Sequence, residues 1–165
     1  RRVLFRSANI GVDGLVTNNG YRKSNVNFIT KSDTQFQWLF DAMWKIGIQS
    51  NNDWFNFHLT NLHFIQLAEY DSEYEGQYKT HHDVFYMNGT KYHRKLTAVV
   101  QLTDPTEYEG GNLILYPQKD NLDPLLIKDQ GSVVLFPSFV PHQAEKVTKG
   151  KRHSLAVWFE GPHWV

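Results

Sequence analysis

The spacing of apolar residues changes once along this chain, and that change restricts the fold more than any other feature. Between residues 33 and 50 the stretch DTQFQWLFDAMWKIGIQS sets Phe36, Leu39, Phe40, Met43 and Trp44 at helical spacing, with Ser32 or Asp33 placed to cap the start. Beyond Ser50 the period falls to two. Candidate strands are WFNFHL (54–59), HFIQLAEY (63–70), QYKTHHDVF (77–85), KLTAVVQL (95–102), NLILYP (112–117), SVVLFP (132–137) and HSLAVWFE (153–160). Asn88-Gly89, Gly110-Gly111, Gly131 and Lys149-Gly150 supply turn signals between several of them. A leading helix followed by about seven or eight short strands predicts a mainly β domain: an antiparallel sandwich or jelly roll with helices packed outside. An immunoglobulin-type sandwich offers no place for the helix.

A length of 165 residues fits one domain, residues 1–165, with a proper core. Aromatic side chains make up 15% of it, which suits a β-rich core with aromatic-lined pockets. The 17 basic and 17 acidic side chains balance, so no global charge favours nucleic acid or an anionic membrane as a partner. With no cysteine, disulfides and thiolate ligands are excluded, and any metal would fall to His, Asp and Glu. No apolar run approaches the roughly 20 residues of a membrane-spanning helix, and no signal-peptide pattern opens the chain. A soluble cytoplasmic domain is the expectation. The opening RRVLFRS has no initiator methionine, which leaves a missing or altered native N-terminus open.

In YKTHHDVFY (78–86) a strand would turn His81 and Asp83 to one face and His82 to the other. A histidine beside a carboxylate can supply two of the three ligands of a facial triad, and it can equally form an ion pair on a sheet surface. Eight histidines and ten aspartates in 165 residues should give about half an H-x-D by chance, so the pair alone favours the ion pair. The C-terminal half adds more. His142 follows Pro141 in a turn-like stretch, where an exposed side chain is expected. Alternation then places Arg152, Ser154, Ala156 and Trp158 on one face of a strand, and His153, Leu155, Val157 and Phe159 on the other. The second set has the character of core. The first combines a cation, a hydroxyl, a small residue and an indole, a lining suited to a carboxylate. Arg152 also fits a solvated basic run with Lys146, Lys149 and Lys151.

Taken in order, these residues resemble the iron(II)- and 2-oxoglutarate-dependent dioxygenases, specifically the prolyl 4-hydroxylase-like branch and its PKHD-type hydroxylases. Tyr78-x-x-His81-x-Asp83 is similar to the family's Y-x-x-H-x-D segment, and Tyr108-Glu109-Gly110-Gly111-Asn112-Leu113 to its Y-E-G-G-x-L turn. Phe136-Pro137-Ser138, His142 and Val147-Thr148-x-Gly150-x-Arg152 resemble its distal block, and Tyr21-Arg22-Lys23-Ser24 resembles an R-x-S element. The likeness runs from about residue 20 to the end. It departs at Lys146, where the family often has proline.

The resemblance implies a double-stranded β-helix core and an enzyme that couples hydroxylation of a substrate C–H bond to oxidative decarboxylation of 2-oxoglutarate to succinate. It implies His81, Asp83 and His142 as ligands of Fe(II), with O2 as oxidant and ascorbate as a candidate reductant. Arg152 would pair with the distal carboxylate of 2-oxoglutarate. Tyr70 would reach the cosubstrate through its hydroxyl, or else stand as a rim or core aromatic. Trp158 would wall the same pocket, or else serve the core. Gln66 shares Tyr70's face and is given no role, and Gly110 and Gly111 are expected to serve turn geometry. The expected substrate is a prolyl residue in a peptide or protein, with the segment from Met87 to Arg94 as a lid that offers Tyr92 or Tyr86 to the substrate ring. Three alternatives stand beside it. A small-molecule hydroxylase and a non-catalytic metal-binding module share the same residues. A nucleic-acid demethylase would carry a second arginine six residues after the first, where this chain has Trp158.

Overall fold

The computed structural model describes residues 6–7, 20–84, 91–117 and 127–164. Its strands are β1 (Arg6–Ser7), β2 (Arg22–Lys23), β3 (Asn25–Thr30), β4 (Phe64–Asp71), β5 (Gln77–His81), β6 (His93–Gln101), β7 (Tyr108–Gly110), β8 (Leu113–Leu115), β9 (Val133–Pro137), β10 (His142–Ala144) and β11 (Val147–Gly161), with helix α1 (Gln37–Ser50) between β3 and β4. The strands form two antiparallel sheets. The larger runs β1-β3-β4-β11-β6-β9, with β7 also on β11, and the smaller runs β2-β5-β10-β8. This is the expected jelly-roll core.

The long strand β11 divides the interior. Its odd residues Leu155, Val157 and Phe159 join Phe40 and Met43 of α1 in the main core cluster. Its even residues Arg152, Ser154, Ala156 and Trp158 turn the other way, into a cavity of about 570 Å³. The helix approaches closely enough that a Cβ at Gly47 would lie 2.2 Å from the Phe159 ring. Alternation accounts for both faces, but His153, expected with the core set, is 33% exposed and pairs with Glu69 at the sheet surface instead.

Several expectations need correction. Residues 54–59 form no strand, because α1 continues into a π-helical turn, Asn51–Phe55, that ends at Asn56 with φ 56°. The buried Asn51 amide donates to the Phe57 carbonyl and accepts from the Phe57 N–H, both at 2.9 Å, so a side chain satisfies the backbone that a neighbouring strand would have paired. The alternation there reflects Phe55, Phe57 and Leu59 packing onto the core from an irregular connection. The helix start is also different. Asp33 makes no side-chain cap, and its carboxylate accepts instead from Gln35 Nε2. Strand β3 was not expected. Its buried residues Val26 and Ile29 belong to different core clusters, which breaks any period of two. The remaining unexpected strands, β1, β2, β7 and β10, span only two or three residues each. The Asn88-Gly89 turn lies outside the described residues. No helix of the described chain is long and apolar enough to cross a membrane.

Candidate active site

The strand register brings distant residues together at the cavity. On β11, Arg152 lies opposite Tyr70 of β4 and Trp158 opposite Thr97 of β6. Between β5 and β10, His142 lies opposite His81. Asp83 sits just past the end of β5, where its N–H donates to the Ser138 carbonyl at 2.8 Å. His142 is not exposed as the turn-like sequence suggested. It is 5% exposed, because Pro141 leads directly into the short strand β10 within the smaller sheet.

His81, Asp83 and His142 converge, with one potential ligand atom from each lying within 4.8 Å of the others. His81 Nε2 is 3.6 Å from Asp83 Oδ1, and His142 Nε2 is 3.5 Å from Asp83 Oδ2. These gaps are too long for good hydrogen bonds. In both imidazoles Nδ1 instead faces a backbone carbonyl, of Lys79 at 2.7 Å and of Val140 at 2.9 Å. A carbonyl only accepts, so Nδ1 carries the proton and Nε2 presents its lone pair inward. Burial, with His142 alongside, pushes the His81 imidazole down to about 4, which keeps it neutral at physiological pH. For Asp83, burial works to raise the carboxyl. The neighbouring His142, His81 and Arg94 and the Trp158 hydrogen bond outweigh it and hold the group below its ordinary value. Two imidazoles and a carboxylate with open space beside them form a donor set that fits Fe(II). His82 is exposed, although the strand expected over 77–85 ends at His81 and its alternation does not reach His82.

Across the cavity, Arg152 is 2% exposed. Its Nε and Nη2 donate to Gln101 Oε1 at 3.2 and 2.9 Å, and its guanidinium carbon lies 5.5 Å from the centre of the Tyr70 ring. Among the described residues no carboxylate pairs with it. A buried cation with no carboxylate partner among the described residues suits an anionic ligand such as 2-oxoglutarate. Arg152 therefore does not belong to the solvated basic run. Arg22 and Arg94 line the cavity too, and Arg22 Nη2 is buried with no hydrogen-bond partner among the described residues.

Tyr70, Trp158, Ser154 and Gln66 all line the cavity. The indole of Trp158 also donates to Asp83 Oδ2 at 2.8 Å, as does Thr97 Oγ1 at 2.9 Å. The sequence reading missed Thr97 and Gln101. A signal was present, since they are polar residues of one parity in the otherwise apolar stretch LTAVVQL (96–102). Of the expected lid, residues 87–90 and Tyr86 lie outside the described residues. Tyr92 is 40% exposed, and its ring lies 5.7 Å from that of His63.

Residues 65–160 match the family model of the 2OG-Fe(II) oxygenase superfamily. A PKHD-type hydroxylase of Aliarcobacter butzleri is 31% identical over 96% of this chain and 71% of its own length. Another, from Crocosphaera subtropica, is 30% identical over 61% of this chain, and that match spans only 44% of the relative. Among solved structures, a Pseudomonas putida prolyl-4-hydroxylase superposes with a TM-score of 0.65 at 23% identity, covering 89% of this chain and 77% of that one. A prolyl hydroxylase from Trichoplax adhaerens, in complex with a hypoxia inducible factor peptide fragment, superposes with a TM-score of 0.69 at 20% identity, covering 93% and 70%. The fold is thus that of the prolyl hydroxylases. The chain belongs to the 2OG-Fe(II) oxygenase superfamily and is of the PKHD type.

Proposed function

We propose that this chain is an Fe(II)- and 2-oxoglutarate-dependent hydroxylase of a prolyl residue in a peptide or protein, with His81, Asp83 and His142 holding the metal. The observation that carries the reading is the convergence of these three donors with both Nδ1 atoms already engaged by backbone carbonyls. When bound, Fe(II) with 2-oxoglutarate and O2 supplies the oxidation, yielding succinate, carbon dioxide and a hydroxylated substrate carbon.

The chain's own residues bind, orient and exclude water. Arg152 holds the distal carboxylate of the cosubstrate through charge-assisted hydrogen bonds, with Tyr70 at its side. Ala68, Val99, Leu113 and Ala156 give the cavity an apolar wall that keeps these interactions strong. At the mouth, Phe28 is 42% exposed and meets Phe64 edge to face at 5.4 Å. Such rings offer a flat apolar contact for a pyrrolidine, whose fixed φ makes a peptidyl proline inexpensive to order. The prolyl hydroxylase fold, in one case solved with a peptide bound, supports the same substrate class.

The test is a panel of proline-containing peptides and free metabolites incubated with enzyme, Fe(II), 2-oxoglutarate, O2 and ascorbate, with any added oxygen mapped by fragmentation. Oxygen on a peptidyl proline is expected. Oxygen only on lysine or on a free metabolite would overturn the assignment of substrate.

A further inference from the structure

Asp83 is held more firmly than a metal ligand at the end of a strand would be by its backbone alone. Its Oδ2 accepts from Trp158 Nε1 at 2.8 Å and from Thr97 Oγ1 at 2.9 Å. A carboxylate oxygen has two lone-pair directions, and both of those on Oδ2 are taken. Among the described residues no hydrogen bond reaches Oδ1. The two donors come from facing positions of adjacent strands, so the sheet itself sets their separation. Each is fixed in turn. The Thr97 proton goes to the carboxylate, so at the 2.9 Å contact between Thr97 and Ser138 the fully buried Ser138 hydroxyl donates. The Trp158 indole is braced by the Arg94 guanidinium carbon, 3.7 Å from the centre of its ring, and by Phe64, 5.6 Å away at 65°.

We infer that Trp158 and Thr97 are positioning residues that pin Asp83 through Oδ2, so that it serves a metal with one oxygen, Oδ1. The inference rests on the metal-centre reading above. It gives Trp158, which also lines the cavity, a role that acts through Asp83. The consequence is chemical. Two imidazoles and one carboxylate oxygen would leave a six-coordinate ion three positions for other ligands, whereas a carboxylate bound through both oxygens would leave two. A cosubstrate that chelates and an oxygen molecule together need three.

The experiment uses Co(II) as a spectroscopic stand-in and compares wild type with Trp158→Phe, Thr97→Val and Thr97→Ser. Trp158→Phe and Thr97→Val are expected to weaken Co(II) binding by about 10- to 100-fold and to alter the visible absorption of the bound ion. Thr97→Ser keeps the hydroxyl and is expected to retain wild-type affinity and spectrum. Valine is close to threonine in shape, so a Thr97→Val variant that keeps the wild-type circular dichroism separates loss of the hydroxyl from loss of the fold, and with Thr97→Ser beside it decides the matter even if Trp158→Phe does not fold. Wild-type Co(II) affinity and spectrum in both Trp158→Phe and Thr97→Val would overturn the inference. So would a Trp158→Phe variant in which only 2-oxoglutarate binding changes, because that is the behaviour of a cosubstrate wall. A wild type that binds no Co(II) would overturn the metal-centre reading itself, a result visible before any variant is made.

Discussion

The imidazole of His81 lies flat on the phenol of Tyr78, with ring centroids 3.5 Å apart and planes 17° from parallel. Residues three apart in a regular strand point to opposite faces. Here β5 and β10 pair His81 with His142 but Tyr78 with Ala144, so two residues of β5, Lys79 and Thr80, stand against one of β10, Gln143. This bulge brings Tyr78 and His81 to one face and gives the Y-x-x-H spacing its physical reason. An aromatic pair contributes about 0.5–1.5 kcal/mol, so Tyr78→Ala should weaken metal binding about two- to tenfold. Tyr78→Phe keeps the stack and should leave metal affinity unchanged, as a metal titration of both variants would reveal.

The adjacent histidines separate cleanly. His81→Ala, Asp83→Ala and His142→Ala should each abolish turnover and sharply reduce bound iron, whereas His82→Ala should stay folded and active. Iron content after anaerobic loading checks this, and an iron-free His82→Ala would reverse the assignment.

At Arg152, a hydrogen bond to a charged group contributes roughly 1.5–3 kcal/mol, so Arg152→Ala should weaken 2-oxoglutarate binding by about ten- to a hundredfold. Iron binding should survive, since Arg152 touches none of the three candidate ligands. Calorimetric titration of cosubstrate into the metal-loaded variant measures both.

Gly111 provides a subtler probe of the same arginine. Its φ is 63°, and a Cβ there would lie 3.1 Å from Arg152 Cδ and 2.9 Å from Val147 Cγ2. Gly131 has a φ of 88° but nothing within 4 Å. Both glycine-to-alanine changes strain the backbone, yet only Gly111→Ala should raise the KM for 2-oxoglutarate. Steady-state kinetics of the two variants separates crowding from strain.

Acid should loosen the edge of the smaller sheet. Lys146 and Lys23 both bond the Glu75 carboxylate, and they hold it down to about 2 from an ordinary 4.5. A carboxyl depressed in the folded state adds stability that is fully present above 4.5 and is lost as pH falls toward 2. Glu75 is exposed, so the effect is small and is screened by salt. The melting temperature of wild type should therefore fall relative to that of Glu75→Gln across this window, and more so at low ionic strength.

Much of this was legible in the sequence because the long strands follow their period. In β11 the parity of Arg152 to Trp158 separated the cavity face from the core face, and pairing in the sheet preserved it. What escaped depended on contacts made across the fold. The burial of His142 comes from pairing with β5 and β8, not from any local pattern. Residues 54–59 alternate like a strand, yet Asn51 occupies the backbone of Phe57 and no ladder forms. Thr97 and Gln101 look like two polar interruptions of an apolar run until the register sets one against Asp83 and the other against Arg152.

The most direct test of the account is the succinate released from 2-oxoglutarate, in air with a proline-containing peptide panel, by iron-loaded wild type and by His142→Ala. The account predicts iron-dependent succinate from wild type and none above background from the variant. No succinate from iron-loaded wild type, or equal amounts from both proteins, would contradict it.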